Sequence, residues 1–115
     1  MKENILKEKS YCFAKHIVVC YKELSENKKE YVLSKQLLRS WTAIGALIRE
    51  SEFAQSTLDF IHKLSIALKE ANETMYRLDL LHESDYAILE YVSVRNECEE
   101  IIRLLVTSIK TLKKK

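Results

Sequence analysis

Proline is absent from this chain of 115 residues, and glycine occurs once, at position 45. Sheet proteins need Gly, Pro or Asn-Gly turns roughly every eight to twelve residues, and phosphate-cradling loops need several glycines so that backbone can approach the anion. Rossmann, P-loop and nucleophile-elbow sites are therefore excluded together. Long apolar runs are missing as well. The longest, Ala43 to Ile48, is six residues, where a membrane span needs about 20. The opening Met1 to Lys9 has acids and no apolar signal-peptide core. Together these predict a cytoplasmic protein with no membrane partner. Three cysteines form no close pair, which fits reduced thiols rather than a disulfide framework. Nor does one sign of charge dominate: 19 basic against 17 acidic residues leave +2, too little to force a nucleic-acid or membrane partner.

What remains is 47% hydrophobic and 31% charged residues, enough for one domain over 1–115 with a real core. Polar breaks at 25–29, 51–56 and 83–85 divide it into four amphipathic segments, predicted as helices over about 5–25, 29–50, 54–82 and 85–113. Ser10, Phe13, Ile17, Cys20 and Leu24 form the first apolar stripe, and Leu33, Leu37, Trp41, Ile44 and Ile48 the second. The third runs from Phe53 and Thr57 through Phe60, Ile61, Leu64, Ala67, Leu68, Ala71 and Met75 to Leu78. The fourth joins Ile88, Tyr91, Cys98, Ile102, Leu105, Ile109 and Leu112. Ser84 reads as the N-cap of the last helix, and Lys110 and Lys113 to Lys115 suit its C-terminal dipole end. Short connections make neighbours antiparallel, so the expected fold is all-α: an up-down-up-down four-helix bundle.

Chemistry-bearing constellations are thin. A di-metal centre needs Glu-x-x-His on two helices. The nearest matches, Asp59-x-x-His62 and Asp79-x-x-His82, share one helix about 30 Å apart. Cys12, His16 and Cys20 advance by four, and the third rises too far to join a metal held by the first two. No thiol or hydroxyl has a base and an orienting group nearby. These features predict no enzyme, no metal and no cofactor.

Apolar residues off the core stripes carry more information. Tyr11, Cys12, Val18 and Val19 lie about 100° to 160° from Ile17 around the first helix, and Leu58, Ile66, Tyr76 and Leu80 are similarly displaced on the third. Two such sets on a small bundle predict a second buried surface, most simply a homo-oligomer. Arg95 interrupts the fourth stripe and needs a partner, for which the 83–85 turn offers Asn72, Glu73 and Tyr76. Gln36, Arg39, Ala43 and Glu50 flank the second helix opposite Asp59, Lys63, Glu70 and Arg77, with Arg39 in reach of 66–70. The plain reading is a salt-bridge seam. The sharper one makes Lys35, Arg39, Lys63 and Arg77 phosphate contacts once copies assemble.

The segment Tyr31-Val-Leu-Ser-Lys-Gln-Leu-Leu-Arg-Ser40, then Ile44-Gly45-Ala46 and Glu50, Asp59-Phe60-Ile61, and Leu64-Ser-Ile-Ala-Leu-Lys-Glu-Ala-Asn-Glu-Thr74 closely resemble the 23S rRNA intervening-sequence proteins. The similarity covers nearly the whole chain. It implies a cytosolic four-helix bundle that assembles as a homopentamer. It also implies a link to RNA or an RNA-handling protein, because a similar bundle is the accessory protein of diversity-generating retroelements, which acts with a reverse transcriptase. A structural or regulatory protein-interaction module without nucleic-acid contact is the alternative. Ala43 and Leu47 replace a Ser and an Asn usual in that family, and Arg77 stands where Trp is frequent. Gly45, retained within the matching block, predicts close helix approach. Glu50 and Glu70, in the same matching blocks, read as structural, as does Arg95.

Overall fold

The computed structural model describes residues 2–114. Four α-helices follow one another: α1 (Lys2–Lys22), α2 (Leu33–Ser51), α3 (Thr57–Glu83) and α4 (Tyr91–Lys113), with a π-helical turn at Glu23–Asn27 extending α1. Each helix packs antiparallel to the next, and α1 packs on α4, which closes an up-down-up-down bundle of 47 × 21 × 19 Å. Helices α2 and α4 are therefore diagonal.

The stripes read from the sequence meet on the bundle axis. Phe13, Ile17, Leu24, Leu37, Trp41, Ile44, Leu64, Leu78 and Leu105 are all essentially inaccessible; on α4 the fully buried isoleucine is Ile101 rather than the expected Ile102, which is half-buried. Trp41 meets Phe13 edge to face, with centroids 4.1 Å apart, and its Nε1–H donates to the Ser10 carbonyl at 3.0 Å. The buried polar residues, Ser10, Glu30, Ser34, Ser40, Ser51 and Thr74, are hydrogen-bonded, as burial requires. Ser40 and Thr74 hydroxyls join α2 to α3 at 2.9 Å, and the Cys98 thiol faces the Ala71 carbonyl across α3 and α4. Burial pushes the Cys98 thiol up to about 12. Cys20 rises to about 11 through burial and then the charges of Glu90 and Glu97. Neither is a thiolate at neutral pH.

The helix ends differ from the sequence reading. Phe53, expected on the third stripe, is 83% exposed. Glu52 and Phe53 close α2 through bonds to Arg49 and Glu50, and Ser56 caps α3 by accepting from the Asp59 N–H at 3.0 Å. The phenylalanine thus falls in the turn, outside both helices. Thr57, at the first position of α3, is exposed too.

Ser84 does not cap α4; it ends α3. The Tyr86 N–H reaches the Leu81 carbonyl and the Asp85 N–H the His82 carbonyl, the paired bonds of a Schellman motif. Asp85 takes the left-handed position (φ 69°) that glycine usually fills. The chain then buries Ile88 before Glu90, also left-handed at φ 55°, restarts it as α4 at Tyr91. Burying Ile88 from a loop is what delays α4 by six residues relative to the expected start at 85.

Gly45 does not mark a close approach inside the chain: a Cβ built there meets nothing within 4 Å. Because a mid-helix glycine costs up to about 1 kcal/mol relative to alanine, Gly45→Ala is expected to raise the unfolding free energy by about 0.5–1 kcal/mol. Urea denaturation at fixed protein concentration checks this. A loss of stability, with a drop in assembled mass, would instead put Gly45 against another copy.

Candidate functional site

The polar positions singled out from the sequence fall into three places. At the start of α4, the Tyr91 phenol donates to Asp79 Oδ1 and Arg95 Nε donates to the same oxygen at 3.0 Å. The His82 ring stacks on Tyr91 at 3.8 Å. Arg95 is thus paired with Asp79 rather than with Asn72, Glu73 or Tyr76. The long 84–90 connection moves its register, and the guanidinium lies at the edge of the core instead of within it. Partial burial acts to raise the Asp79 pKa, but the phenol and the guanidinium outweigh it and hold the carboxyl below its ordinary range. Burial and Asp79 push the Tyr91 phenol up. Every group here has a partner, so this cluster locks α3 to α4.

On the α1–α4 side, His16 Nδ1 lies 2.8 Å from Glu97 and Lys9 3.2 Å from Glu100. A 280 Å³ pocket lies beside them, lined by Val19, Cys20, Ile88 and Leu89. No group of three or more metal-ligating side chains comes together among the described residues. Of the off-stripe apolar set, Tyr11, Val19, Leu58 and Tyr76 are 58–79% exposed and Val18 is 40% exposed. Ile66 and Leu80, expected to be open, are half-buried.

The third place is the α2–α3 seam, where the four expected cations part company. Lys63 sits at the far end, 3.9 Å from Glu50 and 3.8 Å from Asp59. It is already neutralised. Lys35 and Arg39 are exposed and enter no ion pair among the described residues; in particular, Arg39 does not reach Glu70. They project from the side of α2 opposite its buried Leu37, Ile44 and Ile48. A 410 Å³ groove opens between the first half of α2 and the second half of α3, lined by Gln36, Asn72, Glu73, Tyr76 and Arg77 over Leu33 and Leu80.

Arg77 is only 17% exposed and lies 3.9 Å from Glu73, too far for a hydrogen bond. Its Nη1 is buried without an acceptor, as Glu70 Oε1 is without a donor. Of the four expected cations, only Arg77 lines the groove; Lys35 and Arg39 stand on the outer side of the same half of α2, and Lys63 is held at the far end of the seam. Sequence reasoning set Gln36 on the α2 flank and Asn72 as a candidate partner of Arg95, and gave neither amide a place in a groove. Their only signal was placement beside Arg39 and Tyr76 at helical spacing.

This architecture defines an all-α, antiparallel four-helix bundle whose open polar chemistry is on helix faces. The family described as 23S rRNA-intervening sequence protein matches residues 2–107, and the chain belongs to that family. Among solved structures, a protein of unknown function from the S23 ribosomal protein family of Bacteroides thetaiotaomicron is 55% identical. That alignment covers 96% of this chain and 99% of the other, with a TM-score of 0.92. None of the curated proteins matches. No helix among the described residues is long and apolar enough to cross a membrane.

Proposed function

We propose that this chain is a non-enzymatic, self-associating helical bundle that binds RNA at the α2–α3 seam. The observation that carries the reading is the pair Lys35 and Arg39, exposed on the outer side of α2 and without carboxylate partners among the described residues, on the helix that forms one wall of the groove holding Arg77. Unpaired cations release counterions when they meet phosphates, whereas a cation held by a carboxylate must first give up that bond. Family membership supports the same direction. Self-association as a homopentamer rests on the family resemblance and on Tyr11, Val18 and Val19, which share one open face of α1, with Val19 and exposed Leu89 lining the 280 Å³ pocket.

Electrophoretic shift with structured RNA at two salt concentrations tests the RNA reading. Binding is expected to weaken as salt rises, and Lys35→Gln with Arg39→Gln should lower the slope of log K against log salt by about 1.4–1.8. No shift at tens of micromolar protein, with the assembly intact by light scattering, would overturn it in favour of a protein partner such as a reverse transcriptase. A mass of one chain would overturn the assembly.

A further inference from the structure

The geometry points to the α2–α3 groove as a slot for an unpaired nucleobase, so that the ligand is a single-stranded RNA segment rather than a duplex; this inference rests on the RNA-binding reading above. Five observations meet there. Tyr76 is 67% exposed at the mouth, on the regular part of a 27-residue helix, and a rigid exposed ring is the platform on which a splayed base stacks. The Gln36 and Asn72 amides make no side-chain hydrogen bond among the described residues, and each offers both donors and an acceptor to a base edge.

The Arg77 guanidinium lines the groove with its side chain 17% exposed. Its Nη1, buried without an acceptor among the described residues, costs stability, and a small turn of the side chain would bring it to a base carbonyl. Glu73, 41% exposed in the same groove, supplies the acceptor for an exocyclic amine and repels phosphate. That repulsion keeps the backbone out of the groove and toward the outer side of α2, where Lys35 and Arg39 are exposed. The apolar floor of Leu33 and Leu80 suits the base face.

A paired base would keep its Watson–Crick edge engaged with its partner, so a duplex could use the exposed cations but not the slot. At 410 Å³ the groove falls in the range of small-ligand sites.

The test is fluorescence anisotropy with a labelled mixed-sequence single-stranded RNA and with its complete duplex. The single strand is expected to bind at least about tenfold tighter. Tyr76→Ala should weaken it by about 5- to 150-fold, the effect of one lost stacking platform. Tyr76→Phe should retain binding, and duplex binding should be unmoved by either. Circular dichroism and light scattering on the same variants confirm an intact, equally assembled fold.

Equal affinity for both RNAs, with Tyr76→Ala silent and Lys35→Gln/Arg39→Gln weakening both, would overturn the slot and leave RNA binding standing. A Tyr76→Ala protein with reduced assembled mass would overturn it in favour of a contact between copies. Absence of binding to either RNA would overturn the RNA reading itself.

Discussion

Trp41→Ala is expected to remove about 3–5 kcal/mol of folding free energy, a large fraction of the roughly 5–15 kcal/mol that holds a domain of this size. The indole is 1% exposed, stands edge-on to Phe13 and touches the α1 backbone through the Ser10 carbonyl. Truncation therefore leaves a cavity at the α1–α2 contact, removes an aromatic pair and deletes a hydrogen bond. Trp41→Phe keeps most of the volume and the pair, and Ser10 O retains the bonding capacity of a helix carbonyl, so about 1–2 kcal/mol is expected. Urea denaturation of both variants decides it. A Trp41→Ala protein within 1 kcal/mol of the parent would mean that the two helices do not meet through this side chain.

Trp41 also shows what was legible in the sequence. Its place at the centre of Leu33, Leu37, Ile44 and Ile48 follows from period alone, because 3.6-residue spacing decides which face of a helix is inside. The fold class and the burial of Phe13, Ile17, Leu64, Leu78 and Leu105 came from the same signal. Periodicity does not say where a helix stops. Phe53 kept the phase of the third stripe and still fell in the turn, because Ser56 is the residue that can accept from α3's first free N–H groups.

Ser84 had the right chemistry for a cap, but the chain spent it closing α3, with Asp85 taking a left-handed conformation open at modest cost to aspartate. Shifting α4 by six residues then moved Arg95 from Glu73 to Asp79. For the groove, the obstacle is different. An exposed Gln or Asn on a helix looks the same in sequence whether solvated or lining a slot, and the unfilled Nη1 of Arg77 exists only once α2 is packed beside it.

The second large effect is expected at Glu30, a helix cap that neither an Asn, Asp, Ser nor Thr signal announced. Glu30 is 8% exposed, and its carboxylate folds back over the start of α2. Oε1 accepts from the Ser34 N–H at 2.7 Å, and Oε2 accepts from the N–H groups of Leu33 and Val32 at 2.9 and 3.1 Å. Three amide protons at the positive end of the dipole thus converge on one negative charge. Burial alone would raise the Glu30 pKa, but the donors at Leu33, Ser34 and Val32 outweigh it, and the folded value lies below the ordinary glutamate range.

A depressed folded pKa fixes the sign. The stabilisation is complete above the unfolded value of about 4.3 and is lost as pH falls through the folded one. Asp79, also depressed, contributes a parallel loss on the acid side. Glu30→Ala is therefore expected to cost about 2 kcal/mol at pH 7. By pH 3 the gap to the parent should narrow, as the parent protonates its own cap. Glu30→Gln should show the same convergence, with the remaining acid sensitivity assigned to Asp79 by adding Asp79→Asn. Urea midpoints from pH 3 to 7 measure it. A gap that stays constant across that range would mean that the charge of Glu30 does not hold α2, and that the loss at pH 7 comes from packing of its methylenes alone.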